Sequence, residues 1–230
     1  MKRYFRQMAM PEIGRRGQLR LKQSRVLIVG VGGLGSPIAM YLARAGVGTI
    51  GIMDGDHVNI SNLGRQVLYD EEHVGQLKAI CAQQRLQAMN SETQVVVYPR
   101  RLTNRNARKI IADYDVVVDG TDNHSVRYLI SDVCCELHKP YVYGAICGLE
   151  GQVAVLCKGQ ASYRTLFPDE EAMLAKAAAA DKRVVGVTPG VVGCVEASQV
   201  LQLICGYGEP LIDRLWTIDL RDLQTCVVHL

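Results

Sequence analysis

Short, mostly apolar runs alternate with segments of helical spacing through the first half of this 230-residue chain. The runs are too short for helices and are typical of strands buried on both faces; they lie at residues 26–29, 49–53, 95–97 and 116–118. The segments between them carry apolar residues at the spacing of helices, at about 37–45, 74–89 and 106–112. This alternation predicts a Rossmann-like parallel sheet covered by helices.

The second half of the chain has a different pattern. Residues 152–156 alternate as an antiparallel strand would, and residues 158–182 are irregular apart from a short alanine-rich helix at about 173–180. The other predicted elements are helices at 125–137 and 194–204, a strand at 141–143, and a hairpin at 215–218 and 226–228. The predicted fold class is therefore α/β, with a Rossmann-like parallel sheet continued by a mixed or antiparallel half. Residues 1–24 are predicted to be a helical arm that Pro11 and Gly14 break in two.

Composition narrows the class of protein. Hydrophobic residues make up 48% of the chain and no long polar tract interrupts them, which is typical of a single domain with a full core. The net charge is only +3 and the basic residues are scattered, so we expect no nucleic-acid partner. No secretory leader is visible, and no apolar run reaches the roughly 18 to 20 residues that a membrane span needs. We therefore expect a cytoplasmic protein without membrane contact.

The eight cysteines fit the same picture. They lie mostly in apolar strand or helix patterns and never form C-x-x-C; their positions are 81, 134, 135, 147, 157, 194, 205 and 226. Such cysteines are typical of buried thiols in a reducing cytosol, and they predict neither a disulfide framework nor a cysteine metal site. Cys147 comes nearest to the expected site, but its apolar neighbour Ile146 favours packing over reactivity.

A glycine-rich turn follows the first predicted strand. Gly30, Gly32 and Gly35 stand in the G-x-G-x-x-G spacing, and Ser36-Pro37 supplies a polar cap and a proline for the first turn of a helix. Backbone amides of such a turn can approach a phosphate at the helix N-terminus. Asp54 follows the second strand about 20 residues after the last glycine, where a carboxylate can bind a ribose hydroxyl. These features predict an adenine-nucleotide site without identifying the nucleotide.

The fourth strand ends in a second polar segment, residues 119–123, with Asp119 and Asp122. Ligands bind at the carboxyl ends of strands in open α/β sheets, so Asp122 is expected on the same edge as the glycine turn. The alternative is that Asp122 only caps the helix that begins near Ser125. From the residues alone, Arg6 and Lys78 would be ordinary solvated side chains.

Taken together, the motifs resemble the ThiF/MoeB/HesA adenylyltransferases, relatives of the ubiquitin-activating enzymes, and are closest to ThiF. The likeness runs from Tyr4 to about Leu220. The matching blocks are Tyr-Phe-Arg-Gln at 4–7, Gly-Val-Gly-Gly-Leu-Gly at 30–35, Ala-Gly-Val-Gly at 45–48, Asp54 with Asp56, Ser-Asn-Leu-Gly-Arg-Gln at 61–66, Gly-Gln-Leu-Lys at 75–78, Thr-Asp-Asn at 121–123, Gly151-Gln152, Tyr163-Arg164 with Leu166-Phe167-Pro168, and Gly186, Gly190 and Gly193.

The resemblance implies ATP-dependent adenylation of the C-terminal glycine of a small ubiquitin-like sulfur-carrier protein with a Gly-Gly end. It also implies a homodimer and a division of the chain into an arm (1–24), a nucleotide-binding half (25–145) and a carrier-binding half (146–230), with a crossover loop at about 158–186. Two short segments, 83–86 and 101–103, look more ThiF-like than MoeB-like, which favours the thiamine route over the molybdopterin route.

Each matching residue takes a role from the resemblance. Arg65, Lys78, Asp122 and Arg6 would be catalytic; Arg65 and Lys78 would neutralise phosphate charge, and Asp122 would hold Mg²⁺. Arg6 would reach the γ-phosphate of the neighbouring protomer. The implied ATP-binding residues are Gly30, Gly32, Gly33, Leu34, Gly35, Asp54, Asp56, Asn62, Arg65, Lys78, Asp122 and Asn123.

Two departures limit what the resemblance implies. The family commonly has Cys-Tyr-Arg-Cys where this chain has Ser162-Tyr163-Arg164-Thr165, and the sequence stops at Leu230 without a C-terminal C-x-x-C. We therefore expect no structural zinc site. The position of the crossover-loop cysteine, which some members use to accept sulfur, falls near Ala179.

Other functions remain open from the sequence. An NAD-dependent oxidoreductase would explain the glycine turn and Asp54, but it would have no use for Arg65, Lys78 and Asp122. A catalytically silent module that binds a ubiquitin-fold partner would explain the missing cysteines. A MoeB-like role towards a molybdopterin carrier is the third alternative.

Overall fold

The computed structural model describes residues 2–178 and 183–230. Within them the strands form one eight-stranded sheet in the order β3-β2-β1-β4-β5-β6-β7-β8. The strands are β1 (Arg25–Val29), β2 (Thr49–Met53), β3 (Gln94–Tyr98), β4 (Val116–Asp119), β5 (Tyr141–Cys147), β6 (Glu150–Leu156), β7 (Arg214–Asp219) and β8 (Gln224–His229). The helices are α1 (Phe5–Met8), α2 (Gly14–Gln23), α3 (Gly35–Ala45), α4 (Lys78–Met89), α5 (Ala107–Ala112), α6 (His124–Glu136), α7 (Tyr163–Leu166), α8 (Glu170–Ala178) and α9 (Val187–Cys205).

Strands β1 to β5 are parallel, and β6 to β8 continue the sheet in antiparallel pairing. The predicted fold class is thus confirmed. Val29 pairs with Met53 on one side and with Asp119 on the other. The carboxyl ends of β1, β2 and β4 therefore meet at one edge of the sheet, which we call the carboxyl edge.

The core has two apolar layers, one on each face of the sheet. Helices α2, α3, α4 and α9 cover one face and helices α5, α6 and α7 cover the other. Burial on both faces explains the uninterrupted apolar character of β1 and β2. Strand β8, at the end of the sheet, is exposed along its whole length.

Helix α9 is longer than the predicted segment 194–204, because it begins at Val187. Pro189 lies in its first turn, where a missing backbone N–H costs no helical hydrogen bond. By length and composition α9 could cross a membrane, which corrects the expectation that no segment is long enough. Its contacts with α3, α2, β5 and β6 show that its apolar faces serve the core of the protein.

Helix α4 begins at Lys78, four residues later than predicted. Residues 74–77 are not helical, because Gly75 has a φ of +86°, which interrupts helical geometry; a short 3-10 helix, Glu71–His73, precedes them. Helix α8 begins three residues earlier than the predicted 173–180, and residues 179–182 lie outside the described part of the chain.

The N-terminal arm breaks between α1 and α2, as predicted. The arm has an anchor that the sequence did not indicate. Tyr4 is buried and accepts a hydrogen bond from the side-chain amide of Asn90 (2.8 Å), and Gln7 donates to the carbonyl of Ala45 (2.7 Å). Because Ala45 and Asn90 precede β2 and β3, the arm packs at the edge where the parallel strands begin.

Two expectations about the cysteines are wrong. Cys135 and Cys157 form a disulfide, which joins α6 to the end of β6 across a Cα separation of 4.7 Å. Cys147 and Cys226 are exposed: Cys147 is the last residue of β5, where burial of the strand ends, and Cys226 lies on the exposed edge strand β8. Cys81, Cys134 and Cys205 are buried, as expected.

Candidate functional site

The glycine turn lies at the carboxyl edge between β1 and α3. Gly30 has a φ of +86°, and a Cβ at this position would lie 2.7 Å from the carbonyl oxygen of Gly120. A Cβ on Gly120 would in turn overlap the carbonyl oxygen of Gly30. The turns that follow β1 and β4 therefore touch through their backbones, and only glycine fits at these two positions.

The turn presents free backbone donors. The N–H groups of Gly32, Gly33 and Leu34 donate no hydrogen bond to any residue in the described ranges. They precede α3, whose N-terminus carries partial positive charge. Ser36 is not the helix cap that we expected, because α3 begins at Gly35 and the Ser36 hydroxyl donates to the carbonyl of Gly32 (2.6 Å). The arrangement can bind an anion through main-chain donors.

Asp54 ties the end of β2 to the glycine turn. Its carboxylate accepts hydrogen bonds from the backbone N–H groups of Val31 (2.9 Å) and Asp56 (2.8 Å). Burial raises the pKa of Asp54, although these two hydrogen bonds act in the opposite direction. A carboxylate has about four acceptor positions, so hydrogen bonds to a ligand hydroxyl remain possible at Asp54.

Lys78 is buried at the start of α4, which corrects its description as a solvated side chain. Its ammonium lies 3.8 Å from Asp56, and the guanidinium of Arg101 lies 3.2 Å from the other oxygen of the same carboxylate. The backbone N–H of Lys78 also donates to the carbonyl of Asp56 (2.9 Å). Lys78 is therefore a largely desolvated cation held near the end of β2.

Asn62 and Arg65 lie in the segment between β2 and α4. Asn62 accepts from the backbone N–H of Asn59 (3.2 Å) and completes a capping box of a short 3-10 helix. Arg65 is half-buried and donates to the carbonyl of Ser61 (3.0 Å). The backbone of Arg65 comes close to the glycine turn, since its carbonyl oxygen would lie 3.7 Å from a Cβ on Gly33.

Two residues that the sequence did not single out hold this segment against the turn. The hydroxyl of Tyr69 is buried and donates to the carbonyl of Val31 (2.9 Å). Gln66 is 4% exposed, its amide nitrogen lies beside Gly32, and its side-chain oxygen has no hydrogen-bond partner among the described residues. Gln66 lay in a matched motif without a role, and no pattern in the sequence pointed to Tyr69.

Asp122 follows β4 and is exposed at the carboxyl edge. Its carboxylate forms no hydrogen bond or ion pair with a described residue. The alternative that Asp122 caps α6 is wrong, because the cap is Asn123, whose side-chain oxygen accepts from the N–H of Val126 (3.1 Å). Asn123, which we expected to bind ATP, thus has a structural role in this helix.

The sequence-predicted residues therefore separate into two groups. The residues that the structure brings to the carboxyl edge are Gly30, Gly32, Gly33, Leu34, Gly35, Asp54, Asp56, Asn62, Arg65, Lys78, Asp122 and Asn123. Arg6 is not among them, because α1 packs with the arm at the opposite edge. A cleft of about 520 Å³ lies between residues 102–104, helix α6, Arg164 and Glu170.

The ThiF family model matches residues 4–230. The chain belongs to the ThiF family. It is 47% identical over 223 residues to the sulfur carrier protein adenylyltransferase of Thermus thermophilus, covering 94% of this chain and 82% of that relative. It is 45% identical over 229 residues to the adenylyltransferase and sulfurtransferase MOCS3-1 of Zea mays. That match covers 99% of this chain and 49% of the maize protein, so the chain spans about half the length of this relative.

Solved structures share the fold of this ThiF family chain. The crystal structure of E. coli MccB with ATP superimposes with a TM-score of 0.87 and covers 100% of this chain and 71% of its own, at 22% identity. The resemblance to the ThiF family that the sequence motifs indicated is thus confirmed.

Ser162 and Thr165 stand at the positions where, as noted from the sequence, the family commonly has cysteines. Ser162 and Thr165 form a capping box at the start of α7, in which the N–H of Ser162 donates to the Thr165 hydroxyl (3.0 Å). Hydroxyl groups thus hold this turn. In the described ranges no cluster of three or more His, Cys, Asp or Glu side chains could hold a metal ion. The position near Ala179 lies outside the described residues.

The lack of such a cluster in the described ranges is compatible with a magnesium site. Mg²⁺ is usually held by one or two carboxylates together with substrate phosphates and water, and seldom by a cage of protein ligands. Asp122 fits this pattern, because its exposed carboxylate has no partner within residues 2–178 and 183–230 and lies at the edge that carries the anion-binding amides.

Proposed function

We propose that this protein is an ATP-dependent adenylyltransferase that activates the C-terminal glycine of a ubiquitin-like sulfur-carrier protein. One observation carries the proposal: in a ThiF family chain, a single sheet edge combines two cations with backbone donors and a carboxylate that have no partner among the described residues. These are the groups that a nucleoside triphosphate with its metal requires. The names of the Thermus and maize relatives support the same reaction class.

The reaction needs positioning and charge neutralisation more than a side-chain nucleophile. The carboxylate of the carrier attacks the α-phosphorus of ATP, forms an acyl-adenylate and releases pyrophosphate. The N–H groups of residues 32–34 would bind phosphate oxygens, and Asp54 would accept from the ribose. Arg65 and Lys78 would stabilise the negative charge that spreads over the phosphates in the transition state.

Asp122 would hold Mg²⁺ at this edge. When bound with ATP, the ion would supply positive charge that offsets the phosphate charge and favours release of pyrophosphate. Lys78 is suited to its role because its ammonium is largely desolvated, and electrostatic interactions are stronger where water is excluded.

Two further parts of the proposal concern assembly. The antiparallel half of the sheet, residues 146–230, would bind the carrier, since the exposed strand β8 and the hairpin ends lie beyond the covering helices. Arg6 would act in the site of a second copy of the chain in a homodimer, because its own arm packs at the opposite edge. We expect the protein to act in the cytoplasm.

We favour a carrier of the thiamine route on the segments 83–86 and 101–103. The reported relatives are named for a sulfur carrier and for sulfur transfer, and neither name mentions thiamine. The experiment below therefore also includes a molybdopterin carrier. We do not favour an NAD-dependent oxidoreductase. It would have no use for Arg65, Lys78 and Asp122, whereas the ATP-dependent adenylation that we propose uses all three.

The deciding experiment mixes the purified protein with Mg²⁺, ATP and a candidate carrier, and detects the acyl-adenylate by intact mass. One thiamine-type and one molybdopterin-type carrier, each ending in Gly-Gly, are offered separately. The matched control is each carrier without its final glycine. We expect adenylate with at least one intact carrier and none with its shortened form.

The alternatives give different results. Binding of a carrier without adenylate formation would show a silent binding module. Binding of NAD without ATP turnover would favour the oxidoreductase. Adenylate on the molybdopterin-type carrier alone would retain the proposed chemistry and overturn the thiamine assignment.

A further inference from the structure

A buried ion pair lies beneath the Asp122 loop. Arg127, in the first turn of α6, is 4% exposed, and Asp119, the last residue of β4, is fully buried. The Nε of Arg127 donates to Oδ2 of Asp119 (2.9 Å), and the hydroxyl of Tyr141 donates to the same oxygen (2.9 Å). Both side chains are buried, and the proposed reaction gives neither charge a role.

This pair holds Thr121 from both sides. Oδ1 of Asp119 accepts from the backbone N–H and from the hydroxyl of Thr121, both at 2.8 Å. Nη2 of Arg127 donates to the carbonyl of Thr121 (2.7 Å) and to the carbonyl of Gly144 on β5 (3.1 Å). Each backbone polar group of Thr121 is therefore bonded to one member of the ion pair.

The next residue, Asp122, has no hydrogen bond or ion pair of its own in the described ranges. Its position is fixed on one side by Thr121 and on the other by Asn123, the cap of α6. We infer that Arg127 is a positioning residue, which holds the Thr121 backbone so that the Asp122 carboxylate faces the bound metal and phosphates. The part of this inference that concerns metal and phosphate rests on the proposed function.

Fold stability alone is a weak reason for such a pair. Desolvation of two charges is costly, and apolar replacements of buried ion pairs are often neutral or stabilising. A guanidinium, however, can donate in fixed directions to a carboxylate and to two carbonyls at once, and a lysine ammonium cannot reproduce that geometry. The contacts of Arg127 therefore match the task of fixing a backbone segment.

The test compares three variants of the full chain. Arg127→Lys keeps the charge opposite Asp119 but loses the fork that reaches Thr121 and Gly144. Thr121→Ala removes only the hydroxyl contact and leaves the backbone contacts, so it is a milder variant. Tyr141→Phe is the matched control, because it removes a buried hydrogen bond from Asp119 without touching Thr121.

The first measurement needs no ligand. Hydrogen–deuterium exchange of the peptide covering residues 119–126 should be faster in Arg127→Lys than in the wild type, and unchanged in Tyr141→Phe. Unchanged exchange in Arg127→Lys would overturn the inference, whatever the protein binds. Thr121→Ala should show a smaller increase, because the Arg127 contact to its backbone carbonyl remains. If Arg127→Lys fails to fold, Arg127→Gln, which also lacks the guanidinium fork, takes its place: faster exchange supports the inference and unchanged exchange overturns it.

The second measurement is calorimetric titration with ATP, in the presence and in the absence of Mg²⁺. Supporting groups around a metal site typically contribute about tenfold or more to metal affinity, so we expect Arg127→Lys to weaken Mg²⁺-dependent binding about tenfold. Metal-free ATP binding should change little. Equal weakening with and without Mg²⁺, or equal weakening in Tyr141→Phe, would show a structural role only.

The two proposals fail in different ways. If the wild type bound no ATP, the proposed function would be wrong, while the exchange measurement would still decide whether Arg127 holds the loop. If the wild type bound ATP with Mg²⁺ and Arg127→Lys did so equally well, the positioning role would be wrong and the proposed function would stand.

Discussion

The side-chain amide of Asn90 donates a hydrogen bond to the hydroxyl of Tyr4 (2.8 Å), and this contact fixes the arm where the parallel strands begin. Asn90 is fully buried and also donates to the carbonyl of Ala43 (2.7 Å). The ATP site that we propose lies where the strands end. A five-residue strand such as β1 spans about 16 Å, which exceeds the reach of an arginine side chain. Arg6, on the arm, therefore cannot reach the proposed ATP site of its own chain.

Arg6 should therefore complement Asp122 across a dimer. We expect Arg6→Ala and Asp122→Ala each to lose carrier-dependent ATP–pyrophosphate exchange. Mixing them one to one should restore about a quarter of wild-type exchange, because half of the dimers are then hybrids with one whole site of two. Arg3→Ala is the control on the same arm and should remain active. No restoration, with subunit exchange demonstrated, would exclude a role of Arg6 in the neighbouring site.

Asp122 and Asn123 should respond oppositely to substitution. Asp122→Ala should abolish Mg²⁺-dependent pyrophosphate exchange without changing the melting temperature, because the exposed carboxylate forms no hydrogen bond or ion pair with a described residue. Asn123→Ala should lower the free energy of unfolding by about 0.5–2 kcal/mol, since it removes the cap of α6. Thermal unfolding and exchange assays on both variants check this. A melting temperature that fell equally in both variants would mean that Asp122 also supports the helix.

Glu196 gives a prediction about pH. It is fully buried on α9, and neither carboxyl oxygen has a hydrogen-bond partner in the part of the chain that the structure describes. Burial, reinforced by the charge of Asp119, raises its pKa well above 4.5. The folded protein therefore keeps a proton that the unfolded chain releases above about pH 4.5. As pH rises from there towards the folded-state pKa, the free energy of unfolding should fall by up to about 1.4 kcal/mol per pH unit from this group.

Glu196→Gln should remove that dependence, so that the variant gains stability relative to wild type as pH rises. Urea unfolding at pH 5, 6, 7 and 8 measures the difference. Glu171→Gln, at an exposed position on α8, is the control and should follow the wild type at every pH. Parallel curves for wild type and Glu196→Gln would show that Glu196 ionises in the folded protein as it does in the unfolded chain.

The cysteine thiols should differ in their rate of alkylation according to their exposure to solvent. Brief alkylation of the native protein with iodoacetamide should label Cys147 and Cys226, which are exposed. Cys81 and Cys134 should resist, because they are buried and burial raises the pKa of each thiol. Cys135 should become labelled only after reduction and unfolding. Peptide mass spectrometry reads all of these positions, and a protected Cys147 would contradict the exposed end of β5.

The sequence predicted the parallel strands and the carboxyl edge well, because strands buried on both faces leave a clear apolar signal. It suggested Asp122 as a possible cap of α6 and did not consider Asn123, since either side chain suits such a position and the choice depends on backbone angles. The pair of Asp119 and Arg127 was also missed. These residues are eight apart in the sequence, and their contact depends on how the intervening loop folds back over β4.

The end of β5 was misjudged for a related reason. Ile146 and Cys147 continue the strand, but the helices that cover the sheet do not extend over its tip, and periodicity carries no information about that boundary. The start of α9 was missed because Gly186, Pro189 and Gly190 resemble a loop, although proline is tolerated in a first helical turn.

The contact between Gly30 and Gly120 makes the turns after β1 and β4 inseparable for protein engineering. A nucleotide turn transplanted from this chain into another Rossmann scaffold would keep its bent backbone. It would lose the Gly120 peptide, which has no side chain and against which the turn packs. The recipient would need glycine at both positions, 90 residues apart, before the transplanted amides could keep their direction. A designer who copies the motif should therefore copy two loops rather than one.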